Sequence, residues 1–227
     1  MTGDDGVRTL TGTMKRVGVG FREHTGWTAM VALGGSVTAP VVVARSRYEL
    51  CDGDLPRAVY HAARPLDVEN AGRLVRKVEE SARTAAEWQL RRTVAELESA
   101  GYRVVGAAVA APRAVPEDLE EILGSHPLVH TAEGQLFRDA VVAANEAVGL
   151  PVMRFVQHEL FEEAAGHIGM TDASLQAQLT GLGRALGPPW QRDQKEAAAA
   201  AWLALALAGR RRPAATAEPA QPAQHTS

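Results

Sequence analysis

Residues Arg103 to Ala111, RVVGAAVAA, are apolar or glycine at every position after the first. Gly101 precedes the run and Pro112 closes it, so its length and flanks fit a strand rather than a helix. A strand with no polar alternation is covered on both faces, as in the parallel centre of a sheet sandwiched between helix layers. That run confines the chain to a layered α/β architecture and excludes an all-helical bundle or an open, one-sided β-sheet.

The upstream sequence supplies the rest of the sheet. Lys15 to Phe21 (KRVGVGF), Trp27 to Leu33 (WTAMVAL) and Val41 to Leu50 (VVVARSRYEL) are valine-rich runs joined by short Gly- or Pro-bearing connections, which predicts an antiparallel three-strand meander. Leu66 to Ala100 then places apolar residues at helical spacing. Glu69/Arg73, Glu79/Arg83 and Glu87/Arg91 put an acid four residues before a base, the favourable orientation for a solvated helix face. Beyond the apolar strand the pattern predicts a short helix over Pro116–Leu123, a longer one over Glu133–Val148, and a brief strand over Pro151–Val156. Helices over Glu159–Ile168, Ser174–Leu186 and Gln191–Ala208 close the order.

The chain has 227 residues, and 24 Lys and Arg against 27 Asp and Glu leave a net charge of −3. Such a balance excludes a strongly basic DNA-wrapping protein. The single cysteine, Cys51, excludes an internal disulfide and a multi-thiolate zinc site. Asp4 and Asp5 stand where a signal peptide needs bases, so a cytoplasmic location is expected. The most apolar stretch, Ala197 to Gly209, falls short of the roughly 20 residues of a membrane span and reads as a buried helix, which excludes a membrane partner. Residues 14–209 are read as one domain, between a flexible N-terminus over 1–13 and a disordered tail over 210–227. Arg210, Arg211 and Arg212 read as solvated cations at a helix end. A helix of about 35 residues would span roughly 50 Å, which makes a second copy of the chain one candidate partner.

The order β-β-β-α-β-α-β-α is that of a ribonuclease H-like fold: a mixed five-stranded sheet flanked by helices. Gly18-Val19-Gly20 followed by Thr25-Gly26-Trp27 resembles the first hairpin of the Holliday-junction resolvases of the RuvC type. Ala140 to Val156 (AVVAANEAVGLPVMRFV) resembles that family's helix and Gly-Leu-Pro-Val strand, and Asp193 to Ala206 its alanine-rich closing helix. The resemblance spans residues 15 to 208 and implies nucleic acid as a partner. It also implies a site of clustered carboxylates holding two divalent cations for phosphodiester cleavage. Two of the three implied acids are missing. Gly20 stands in the middle of strand one, and Val109, Ala110 and Ala111 end the fourth strand; Asp193 alone has a counterpart, with Glu196 one turn on. The ordinary two-metal mechanism is therefore not expected, and a modified or lost nuclease site is.

Ligands of parallel sheets gather beyond the carboxyl ends of the strands. That rule nominates Glu23, His158, Glu159 and Asp193 as catalytic candidates, with Glu23, Glu159 and Asp193 as ligands of a divalent cation. Binding candidates at the same rim are His24 and Arg113; Arg138 follows the His130–Glu133 cluster, and Arg22, Arg45, Arg47, Arg113 and Arg138 are the local phosphate bases. Tyr60 and His61 are a candidate stacking pair. His130 and Glu133 are candidates on a helix-entry turn with Thr131 as its cap; Pro127 argues against a helical pairing of His126 with His130. The alternatives are a small-molecule enzyme using the strand-end His and Glu residues, and a non-catalytic protein-interaction domain.

Overall fold

A computed structural model describes residues 13–210, and for Arg210 its backbone alone. The flexible N-terminus expected over residues 1–12, the solvated cations expected at Arg211 and Arg212, and the disordered tail expected beyond them lie outside the described residues. The elements are β1 (Lys15–His24), β2 (Trp27–Ser36), β3 (Ala39–Glu49), α1 (Val59–Ala63), α2 (Val68–Ser99) and β4 (Tyr102–Ala110). They continue with α3 (Leu119–Gly124), α4 (His126–Ala147), β5 (Val152–Phe155), α5 (Leu160–Ile168), α6 (Asp172–Leu182), a 3₁₀ turn (Gly183–Ala185) and α7 (Arg192–Arg210).

The strands form one mixed sheet in the order β3-β2-β1-β4-β5. The meander is antiparallel, with Gly20 opposite Val31 and Arg47 opposite Ala29. β4 runs parallel to β1, pairing Val19 with Ala107 and Gly20 with Ala108, and β5 runs parallel to β4. This is the ribonuclease H-like arrangement. The β1–β2 turn closes through Gly26, whose φ of 83° lies in the left-handed region that a side chain disfavours.

Period-two alternation sorts the side chains into two cores. Val17, Val19, Phe21, Met30, Ala107 and Val109 face α1 to α4, and α2 answers with Ala71, Val75, Val78, Ala82, Ala86, Leu90 and Leu97. Ala29, Val31, Leu33, Ala108, Ala110 and Phe155 face the other layer, which holds α5, α6 and the alanine-rich α7. Asp67 caps α2 by accepting the Asn70 amide, and the Glu69–Arg73 and Glu87–Arg91 pairs form on its solvated face. No helix among the described residues is long and apolar enough to cross a membrane.

Three readings change. Residues 59–63 form a separate short helix, α1, before the long one. The helix expected over Glu133–Val148 begins seven residues earlier, at His126, with Ser125 at its N-cap and Pro127 in the first turn. Proline is tolerated there because the first turn's N–H groups have no intrahelical acceptor. Thr131 is consequently no cap; its hydroxyl donates to the Pro127 carbonyl inside the helix.

Candidate functional site

At the centre of the α7 face, β1 presents Gly18 and Gly20 to the α7 backbone. A Cβ at Gly20 would come within 2.1 Å of the Ala197 carbonyl oxygen and 2.2 Å of the Ala201 nitrogen; one at Gly18 would lie 2.3 Å from the Ala201 oxygen. Ala197 to Ala201 are fully buried, so glycine on the strand and alanine on the helix bring the two backbones together. Gly20 is the position at which the sequence resemblance calls for the first acid, and α7 fills the space that a carboxylate side chain would need. The end of β4 is equally closed, with Val109 and Ala110 buried without exposure.

Beyond this seam, the strand-end rim divides between the two faces. On the α7 side, Glu196 is buried and receives Arg22 Nε at 2.6 Å and Arg192 Nε at 2.6 Å, while Gln157 donates to it at 3.1 Å. His24 Nε2 lies 2.9 Å from Asp193 Oδ1, and its ring stacks on Trp27 at 4.2 Å with the planes 8° apart. From the β3 side, Arg47 places its guanidinium 3.8 Å from the Trp27 ring centre. A partly exposed aromatic plane is thus flanked by an imidazole and a cation.

Glu23 turns to the other face. It is 5% exposed, with Arg138 Nε 3.8 Å from its carboxylate as the nearest ionic partner. Burial pushes its pKa above the ordinary carboxylate value, against the opposing pull of Arg138, Arg22 and Arg154. Arg138 is itself buried and donates to the Ala111 carbonyl and Gln135, both at 3.2 Å. Burial lowers its pKa from the usual guanidinium value, while Glu23 acts the other way. Arg113 and Arg154 are exposed nearby.

The predicted residues therefore separate into pairs. Asp193 meets His24, Glu23 meets Arg138, and His158 and Glu159 meet each other at 3.3 Å on an exposed turn. The carboxylates of Glu23, Glu159 and Asp193 do not gather as one ligand set among the described residues. Arg45, read as a phosphate base, is consumed within the fold: its guanidinium donates to the carbonyls of Leu186, Gly187, Pro188 and Pro189 at 2.7–3.2 Å. Tyr60 is no exposed stacking platform. It is buried in the α1–α4 core, and burial raises its phenol to about 12, helped by Glu79.

His61, His130 and Glu133, read from the sequence as two separate clusters, come together with His126. Glu133 is buried, and its Oε1 accepts the His61 Nδ1–H at 2.8 Å and the His61 backbone N–H at 3.1 Å. His126 Nε2 and His130 Nε2 lie 3.1 Å apart across one helical turn. The ring of His61 stands edge-on to both, with centroids 5.5 and 4.7 Å away. The missed signal was periodic: His126, His130 and Glu133 are spaced i, i+4, i+7 and share a helix face once Pro127 is accepted in the first turn. No local pattern announced that α1 would carry His61 to that face.

No protein-family model matches the chain. No curated protein matches it either. Among solved structures, it is similar to RuvC of T. thermophilus in complex with a Holliday junction substrate, with a TM-score of 0.47 and 12% identity over 84% of this chain and 91% of that one. It is also similar to a second structure of Thermus thermophilus RuvC, with a TM-score of 0.46 and 13% identity over 84% and 92% of the respective chains.

Proposed function

We propose that this chain is a ribonuclease H-like domain that has lost the two-metal nuclease centre and binds nucleic acid along its strand-end rim without cutting it by that route. The observation that carries the reading is the contact of α7 with Gly20, where 2.1 Å separates a would-be Cβ from the Ala197 oxygen. Two hard cations need a set of carboxylate oxygens. Here one acid position is filled by helix backbone and another by apolar strand. The other acids of the rim face basic side chains of the chain itself: Glu196 faces Arg22 and Arg192, Asp193 faces His24, Glu23 faces Arg138, and Glu159 faces His158.

Binding draws support from different groups. Trp27, its two faces covered by His24 and Arg47, holds the half-exposed Arg47 guanidinium as a plane on which an unpaired base stacks. Arg113 and Arg154, exposed at the ends of β4 and β5, supply phosphate contacts that fix position without reading sequence. Fluorescence anisotropy with labelled four-way-junction, duplex and single-stranded DNA, in chelator and at stepped salt, tests the reading. The expected result is binding that weakens steeply as salt rises and that falls on Trp27→Ala and on Arg113→Ala/Arg154→Ala, with no cleavage when Mg²⁺ or Mn²⁺ is supplied. Metal-dependent cleavage, or no binding to any of the three at low salt, overturns it.

A further inference from the structure

We propose that His61, His126 and His130 form a mononuclear site for a transition-metal ion of the Zn²⁺ class, with Glu133 as the positioning residue behind His61. The site lies between α1 and the first turns of α4, on the face away from α7, and is independent of the nucleic-acid reading.

The three imidazoles offer ligand nitrogens that all lie within 4.8 Å of one another. Two nitrogens bound tetrahedrally to zinc at about 2.0–2.1 Å stand about 3.3–3.4 Å apart, and His126 Nε2 and His130 Nε2 are already at 3.1 Å. The rings meet at 61–86° rather than stacking face to face. Spacing i, i+4 on one helix brings the two α4 nitrogens together, and α1 supplies the third from across the cleft.

Glu133 is the second, independent sign. A carboxylate left 5% exposed is held by the backbone and ring of one histidine. That hydrogen bond fixes the proton on His61 Nδ1 and leaves Nε2 as the donor, the carboxylate–histidine–metal relay of metal sites. Three neutral imidazoles and no ligating carboxylate select Zn²⁺, Co²⁺, Ni²⁺ or Cu²⁺ over Mg²⁺ and Ca²⁺, which take oxygen. His126 and His130 are exposed, so the fourth position opens to solvent. Three protein ligands with one solvent position is the form that catalytic zinc sites take, in contrast to closed structural ones.

The test uses the full chain without a polyhistidine tag, stripped with chelator, then titrated with Co²⁺ by visible absorption and with Zn²⁺ by calorimetry. The expected result is one ion per chain with a low-symmetry Co²⁺ spectrum, and a loss of about a hundredfold or more in affinity for His126→Ala and for His130→Ala. Because both of these side chains are exposed, their replacement leaves the fold intact, which circular dichroism verifies. Glu133→Gln is expected to weaken Zn²⁺ by about 10- to 100-fold, whereas His158→Ala, on a separate turn, leaves it unchanged. Substoichiometric binding, or unaltered affinity in His126→Ala and His130→Ala, overturns the proposal. The DNA measurements are made in chelator, so either proposal fails without the other.

Discussion

On the α7 side of the sheet, β1 shows Gly18 and Gly20 to a helix whose contact residues are alanine; on the opposite side it shows Val17, Val19 and Phe21, and then Glu23, to helices carrying larger side chains. The first face is joined backbone to backbone and has no room for chemistry at its centre. The second is joined through side chains, and near its rim buried ionisable groups survive: Glu23 with Arg138, and Glu133 with His61. One strand, read at alternate positions, thus builds a sealed seam and a polar margin. The contrast teaches that the α7 face has no room for an acid at position 20, because the helix backbone occupies the space in which its side chain would stand.

The sharpest way to break this contrast is to add a single methyl group. Gly20→Ala places its Cβ against helix backbone, which cannot rotate aside, and is expected to cost about 3 kcal/mol or more, read as a lowered urea midpoint. Gly106→Ala is the control. Its nearest neighbours are the flexible end of Met153 at 3.3 Å and the Pro151 oxygen at 3.4 Å, and its expected cost is below about 1 kcal/mol. Equal effects at the two sites would show that α7 is free to lift away, and the proposal that a closed seam excludes a carboxylate at position 20 would fail.

The next effect concerns two arginines on β3 that share the α7 side. Arg45 donates to four successive carbonyls of the segment between the 3₁₀ turn and α7, tying that segment to the sheet edge. Arg47, half exposed, pairs with Glu49 and lies over Trp27. Arg45→Ala is expected to cost about 2 kcal/mol, since it strips charge-assisted bonds from several carbonyls at once. Arg47→Ala is expected to cost about 0.5 kcal/mol in stability while reducing DNA affinity. Thermal unfolding and anisotropy on both variants separate the clamp from the contact surface.

Most of the fold was legible because strands and long helices write their periods into the sequence. KRVGVGF alternates in type and RVVGAAVAA does not, yet both are buried through their centres and lie side by side in parallel. The site was less legible. Glu23, His158, Glu159 and Asp193 were nominated by topology, which fixes the end of the sheet to which a residue belongs but not its face or partner. Residues 23 and 24 are adjacent, yet they turn to opposite faces and meet Arg138 and Asp193 respectively. Arg45 looked available because nothing in its own strand shows that a distant loop will claim it. The histidine cluster was half visible, as His130 and Glu133, and hidden where a five-residue helix contributes the remaining ligand.

The smallest expected effect probes the polar margin through Glu23. Its pKa is raised because burial penalises the carboxylate more than Arg138, Arg22 and Arg154 favour it. A raised pKa means that the folded state holds the proton more tightly than the unfolded chain. Glu23 therefore contributes stability that is fully present below its ordinary value of 4.5 and is lost as pH climbs through the folded-state value. Glu23→Gln keeps the shape and removes the charge. The variant is expected to match the parent at acidic pH and to melt slightly higher at neutral pH, with a flatter dependence between the two. If Glu23→Gln instead melts lower at neutral pH, the attraction of Arg138 outweighs burial, and this margin is held by an ion pair, as the α7 rim is by Glu196 with Arg22.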